Sequence, residues 1–226
     1  MTKVSLHGNF FLVAFLTSSL ESASQIKITA NPEIIAYNRI HSKGSSLVDN
    51  FISVLPMTVN RYYVEVRYNY DFHGTSGVYV GKVFSWQRKV RHSIIPQVGI
   101  LNGDFMGDSF QFYYRVASKR LELNFQNQYS TRFRDYKTGF YYNWSSIEVS
   151  LTHHISVGGS TQFYCGYDNG YNDNGVFAMY KKLNFNFFLF DFNAYDPKNH
   201  YLLTGLVFTL RLPKSTHLKS GLNRTH

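Results

Sequence analysis

The sequence has a single cysteine, Cys165, in 226 residues. A disulfide framework needs pairs and a zinc ribbon needs several thiolates, so both are excluded. Charge is also scarce. Asp, Glu, Lys and Arg make up 16% of the chain, less than the surface of a soluble domain normally carries. No apolar run approaches the roughly 20 residues of a membrane-spanning helix; the longest early one, Phe10 to Leu16, has seven. Mean hydropathy is −0.25, which argues against an oily helical bundle. Catalytic signatures are missing as well: there is no Gly-x-Ser-x-Gly elbow, no His-Glu-x-x-His helix and no phosphate loop. What the chain does have is aromatic residues, 20 Phe, 18 Tyr and 2 Trp, within a hydrophobic content of 44%. That content excludes disorder, and the length suffices to close a barrel.

The N-terminus reads as a secretory signal over residues 1–24. Lys3 precedes the run Phe10 to Leu16, and small residues follow at Ser18, Ser19, Ser22, Ala23 and Ser24. The alternative is a buried strand or amphipathic segment opening a cytosolic protein. Cleavage near Ala23 would remove Lys3 and Glu21 and leave the net charge of +9 unchanged.

From Arg61 onward the dominant period is two, the period of a strand. Between Arg61 and Phe72 one face reads Tyr62, Val64, Val66, Tyr68, Tyr70, Phe72. The other reads Arg61, Tyr63, Glu65, Arg67, Asn69, Asp71. Leu121 to Tyr129 repeats the arrangement. About ten such segments are predicted, near 61–72, 76–87, 92–101, 108–117, 119–130, 140–152, 154–167, 174–182, 184–194 and 200–212. Most span about 9–13 residues, the length of a tilted membrane strand rather than the 5–6 of a globular one. Short connections at Lys119, His153-His154 and Lys182-Leu183 alternate with longer polar ones at 102–107, 131–139, 168–174 and 196–199, as periplasmic turns alternate with outer loops. The expected fold is all-β: a single antiparallel up-and-down transmembrane β-barrel over 61–212, with both ends in the periplasm. A soluble β-sandwich with an aromatic core is the alternative.

Residues 25–60 read differently. Asn31-Pro32-Glu33 resembles a helix start. Leu47, Val48, Phe51, Ile52 and Leu55 are spaced as on a helix, which Pro56 would end. A short helical or irregular lead-in, periplasmic or plugging the barrel, is expected, with an extra strand as the alternative. Residues 213–226 form a basic tail with Lys214, Lys219 and Arg224.

Taken together, these segments resemble an uncharacterised family of small bacterial outer-membrane β-barrel proteins. The likeness rests on 61–212 and the signal, and in particular on Thr58 to Tyr70 (TVNRYYVEVRYNY) and Tyr180 to Phe185 (YKKLNF). It implies a Gram-negative outer-membrane location, periplasmic assembly by the outer-membrane machinery, a bilayer carrying lipopolysaccharide, and a final strand ending in an aromatic residue. Tyr201 to Leu210 fits that strand, although the chain continues beyond it.

Charge on a lipid-facing position costs about 2–4 kcal/mol at midplane. The polar faces are therefore expected to line the lumen: Glu65, Arg67, Asp71, Arg115, Arg120, Glu122 and Glu148. These either line a narrow pore or form an ion-paired plug. Tyr62, Phe72, Trp86, Trp144, Tyr167 and Tyr201 fall near strand ends and are expected in interface girdles. Lys82 spoils its strand's apolar face, so a bulge or register shift is expected there. No metal site or cofactor is expected. His153 and His154 would point to opposite faces, and Asp168 to Gly175 lacks calcium-loop spacing. A rim enzyme would draw on Asp71, His73, Asp104, Asp108, Asp135, Asp168, Asp173 and His200, a scatter rather than a constellation. The basic residues are too dispersed for a nucleic-acid footprint. The function expected is a narrow porin-like passive channel or a site for small polar solutes. A plugged barrel with structural or surface-interaction roles, a rim enzyme and a soluble secreted barrel are the alternatives.

Overall fold

The computed structural model describes residues 28–39, 51–133, 138–166 and 170–211. The expected signal segment, the basic tail and Tyr167 lie outside the described residues. The strands are β1 (Ile28–Ala30), β2 (Glu33–Arg39), β3 (Phe51–Val59), β4 (Tyr62–Tyr68), β5 (Thr75–Lys82), β6 (Phe84–Gln87), β7 (Arg91–Gly103) and β8 (Gly107–Ala117). They continue with β9 (Leu121–Arg132), β10 (Phe140–Ser150), β11 (Ile155–Cys165), β12 (Gly170–Lys182), β13 (Phe185–Phe192), β14 (Tyr201–Phe208) and β15 (Leu210–Arg211). All pairings are antiparallel. The ladder runs from β2 through β3, β4, β5 and β7 to β14, and β14 pairs back onto β2. Twelve strands thus close a barrel. The short β1, β6 and β15 continue β2, β5 and β14 past a local break.

The strand number is two above the ten expected, and the difference lies in residues 28–39 and 51–59. These supply barrel wall, not a helical lead-in; Leu47 and Val48 of the expected helix lie outside the described residues. β2 pairs Glu33 to Val207 and Tyr201 to Arg39, while β3 pairs Val59 to Tyr62 and Ser53 to Tyr68. The physical reason is that, Glu33 apart, both faces here are largely apolar. Ile35 and Val54 are buried in the interior, while Ile34, Phe51 and Leu55 are exposed on the outside. Without a polar face the period of two vanishes. Pro32 and Pro56 also cannot donate to a ladder. They sit where the β1–β2 edge is interrupted, with Asn31 N–H donating to the Pro56 carbonyl at 2.9 Å and Phe208 N–H to that of Pro32 at 2.9 Å.

Connections differ between the two ends. One end carries Asn60-Arg61, residues 88–90, 118–120, 151–154 and Leu183-Asn184, all tight. The other carries 69–74, 104–106 and 193–200. Asn60 and Asn69 adopt left-handed φ values of 58° and 57°, a conformation asparagine tolerates better than most residues. The described chain begins and ends at the tight-turn end.

Alternation sorts the side chains. On the outer face, Val78, Val80, Val98, Ile100, Phe110, Ile147 and Val176 are exposed, Ile100 and Val176 by 63% each. On the inner face the two sides differ. Strands β4 to β9 present Glu65, Arg67, Gln97, Gln111, Gln126, Gln128 and Ser130, all buried. Opposite them, β2, β12, β13 and β14 present a cluster of Ile35, Phe177, Phe188, Phe190, Phe192, Tyr201 and Leu203. Rings lie flat over glycines of neighbouring strands. Tyr79 covers Gly99 and Phe188 covers Gly205, so a β-carbon at either glycine would run into the ring.

Candidate functional site

The site is the barrel interior, and its centre is Arg67. Every second residue of β4 faces inward, which carries Tyr63, Glu65 and Arg67 into the bore. The Arg67 side chain is fully buried. Its guanidinium donates to Asp71 Oδ1 at 2.9 Å, Gln111 Oε1 at 2.6 Å, Tyr113 Oη at 3.1 Å and Gln128 Oε1 at 3.2 Å. Its Nε donates to Glu65, which also accepts from the Tyr63 hydroxyl. The same guanidinium lies between two rings, 4.5 Å from the centroid of Tyr70 and 4.4 Å from that of Tyr79. An arginine removed from water needs this density of partners to offset its desolvation.

Tyr70 is placed by a turn. At Asn69 the chain leaves β4, Gly74 N–H donates to Asn69 Oδ1 at 2.7 Å, and Asn69 N–H donates to the Thr75 carbonyl at 2.9 Å. The strand expected to run on to Phe72 therefore stops at Tyr68. Tyr70, expected on the outer face, swings into the bore, where its hydroxyl donates to Gln126 Oε1 at 2.8 Å. Tyr70 then stacks on Trp144 at 6.4 Å and 20°, and Trp144 meets Phe190 edge-on at 5.7 Å. Trp144 Nε1 donates to Ser160 Oγ at 2.7 Å. A row of side chains, Tyr79, Arg67, Tyr70, Trp144 and Phe190, crosses the lumen from β5 to β13.

A cavity lies on each side of this row. The loop-end cavity, about 940 Å³, is lined by Asp71, His73, Tyr142, Tyr164, Asp173, Asn193, Asp196 and Tyr201 among others. The turn-end cavity, about 430 Å³, is lined by Glu33, Tyr63, Glu65, Tyr113, Arg115 and Asn124 among others. Tyr70 and Trp144 line both, so this pair is the partition between them. In the loop-end cavity, Asp173 accepts from Asn193 at 2.6 Å and from the Tyr201 hydroxyl at 2.8 Å. At its rim the Asp196 carboxylate is held below its ordinary pKa by hydrogen bonds from the Asn199 side chain and the Lys198 N–H.

The remaining sequence-derived positions distribute as follows. Glu65, Arg67, Asp71 and Glu148 are buried inside. Glu122 and Glu148 also face inward, directly opposite each other in the β9–β10 ladder. Like charges facing each other are unfavourable, and each is matched by its own cation: Arg115 for Glu122, and Lys181, reaching over β11, for Glu148. Arg120 lies in the exposed turn before β9, away from the bore. Tyr62, Phe72 and Trp86 are exposed near the barrel ends. Trp144 and Tyr201 are not girdle residues: both face the interior, Trp144 in the partition and Tyr201 stacked on Phe192 at 5.0 Å. Alternation, not distance from a strand end, sets their facing: Trp144 lies within β10 and Tyr201 opens β14. Lys82 stays outward at the last position of β5, 5.6 Å from the Phe84 ring centroid, and the strand breaks at Val83. Among the described residues, no three His, Cys, Asp or Glu side chains come together as a metal site. Of the acids and histidines considered for a rim enzyme, Asp135 and Asp168 lie outside the described residues; Asp71 is tied to Arg67, His73 lies 3.7 Å from Asp104, and His200 lies 2.7 Å from Asp191. The residues missed by sequence reasoning are Tyr70, Gln111, Gln126 and Gln128. Gln126 and Gln128 share the face of Glu122 in the 119–130 segment, and only the absence of charge hid them; Gln111 lies in the segment predicted near 108–117.

No protein-family model matches the chain, and no curated protein matches it. Solved structures do. The NanC porin superposes with a TM-score of 0.53 at 11% identity, covering 80% of this chain and 100% of that one. The KdgM porin in complex with disordered oligogalacturonate gives 0.52 at 14% identity, covering 80% and 98%. At such identities the likeness is one of fold. The outward belt of valine, isoleucine and phenylalanine is a surface that lipid solvates and water does not. With that belt and this closed architecture, the chain is an outer-membrane β-barrel with the fold of the small porins.

Proposed function

We propose that the chain is a narrow passive channel for small polar solutes, with the loop-end cavity as its vestibule. The observation that carries this reading is the pair of cavities lying in line along the bore, parted by two side chains, Tyr70 and Trp144. One of these two rides on a turn rather than on a strand, so widening the passage does not require the wall to open. The vestibule mixes ring faces with hydrogen-bonding edges, a surface suited to hydroxylated solutes. Its described charges, Asp71, Asp173 and Asp196, are acidic. An anion of the oligogalacturonate kind that the KdgM porin holds would be repelled here, and an uncharged or cationic solute favoured. Insertion by the outer-membrane assembly machinery into a lipopolysaccharide-bearing bilayer belongs to the same reading, as does the lack of a catalytic role.

The buried Arg67 network favours a second reading, a plugged barrel without transport. Single-channel recording in planar bilayers separates the two. The channel reading expects small, uniform conductance steps that grow at least severalfold in Tyr70→Ala and in Trp144→Ala. A silent wild type, with silent variants that still fold by their shift on boiling, leaves the plugged barrel.

A further inference from the structure

The connections at the tight-turn end of the barrel are basic on balance. These connections, residues 60–61, 88–90, 118–120, 151–154 and 183–184, contain no acidic residue, whereas the opposite end carries Asp71, Asp104 and Asp196. The basic character is densest around the β6–β7 hairpin. Lys82, Arg88, Lys89 and Lys119 are all exposed there, and none has an ion-pair partner among the described residues. Unpaired cations clustered this closely repel one another, an arrangement that a bound anion relieves.

A second observation comes from the outward face of the same hairpin. Trp86 stacks on His92 at 5.1 Å and 6°, His92 on Tyr114 at 6.2 Å and 16°, and Tyr114 on Phe125 at 6.1 Å and 21°. His92 Nδ1 and the Tyr114 hydroxyl are 3.0 Å apart. Amphipathic rings of this kind settle at the headgroup level of a bilayer. The stack therefore fixes the height of the hairpin, and that height puts the cations beside it among lipid phosphates.

We infer that the β6–β7 hairpin, with Lys82 and Lys119 beside it, is a docking collar for anionic phospholipid headgroups in the leaflet that the tight-turn end faces. The rings hold the acyl–headgroup boundary, and the cations contact phosphate. The occupant is a membrane lipid rather than free phosphate, because the cations and the lipid-facing rings share one hairpin.

The test uses Trp86 as the reporter. The chain has two tryptophans, so Trp144→Phe leaves Trp86 as the only one. The folded barrel, verified by its shift on boiling, is reconstituted in phosphatidylcholine vesicles doped with brominated phosphatidylglycerol or brominated phosphatidylcholine. Quenching by the anionic lipid is expected to be several times stronger at equal mole fraction, and to weaken with salt. Each cation near the surface contributes a preference of roughly fivefold at most, so Arg88→Ser/Lys89→Ser/Lys119→Ser should bring the two lipids to near equality with the barrel still folded. Equal quenching in the parent, or an unchanged preference in the triple variant, overturns the inference. Inorganic phosphate is expected not to reverse the preference; full reversal at millimolar concentration assigns the collar to free phosphate and overturns the lipid assignment.

Discussion

Replacing Arg67 by methionine tests the central network most directly. The change keeps an unbranched, apolar stem of similar length and removes one positive charge. In the structure that charge is shared by Glu65 and Asp71, whose side chains are each only 2% exposed. Removing one partner of a buried ion pair costs about 3–5 kcal/mol, because the remaining charge is left unpaired. Here two carboxylates lose the same partner, and Gln111, Tyr113 and Gln128 each lose a donor. The upper part of that range, about 4–5 kcal/mol, is therefore expected. With a urea dependence of about 2–3 kcal/mol per molar, the unfolding midpoint in vesicles should fall by roughly 1.3–2.5 M. Adding Glu65→Gln removes one of the two orphaned charges, and the double variant should recover about 1–3 kcal/mol of the loss. A midpoint shift under about 0.3 M, or a double variant no better than Arg67→Met alone, refutes the reasoning: water would then reach the network freely and screen it.

Three further outcomes follow from the fold. Val98, 58% exposed on the outer face of β7, should cost about 2–4 kcal/mol as Val98→Arg if that face meets the bilayer core, read as a lowered urea midpoint in vesicles. Phe188→Ala should cost about 3–5 kcal/mol, and Gly205→Val about 1–3 kcal/mol through collision with the Phe188 ring. The double variant should cost less than their sum, since the ring that the valine strikes is gone. At the loop end, the lowered pKa of Asp196 means that its charged form is the one the folded turn holds. That contribution is complete above the unfolded pKa of about 3.9 and is lost as pH falls through the folded value. Protection of the Lys198 amide, relative to its intrinsic exchange rate, should drop as pH is lowered through the folded value in the wild type and show no such step in Asp196→Asn.

Much of this architecture is written in alternation, and only where the two faces differ. β4, β8 and β9 put acids, arginines and glutamines on one side and valine, leucine or phenylalanine on the other, so both strand and facing were legible. β2 and β3, apart from the inward Glu33, put mainly apolar residues on both sides where they close the aromatic half of the bore. Their pattern then resembles a helix, and their prolines reinforce that impression. The inward placement of Glu65, Arg67 and Asp71 could be anticipated from lipid avoidance alone. The partition could not. It depends on a left-handed Asn69 that ends β4 early and reverses the facing of Tyr70, and on Trp144 continuing a strand whose aromatic start looked like an interface. Composition shows neither event, because each is a matter of one backbone dihedral or one residue of register.

The seam between β14 and β2 has a consequence for how the barrel forms. Every ladder apart from this seam and its short β1–β15 continuation joins strands adjacent along the chain, or nearly so. The seam instead joins Glu33 to Val207, roughly 170 residues apart. Closing such a span costs about 2.5 kcal/mol more in chain entropy than closing a ten-residue hairpin. A sheet with eleven local pairings and one distant one should zip through its hairpins first and shut last. The Pro32 and Pro56 interruption lies beside this final joint, where the ladder is already weakest. Substitutions that weaken β2–β14 pairing should then act on the rate of release from the finished barrel and leave the rate of its assembly nearly untouched.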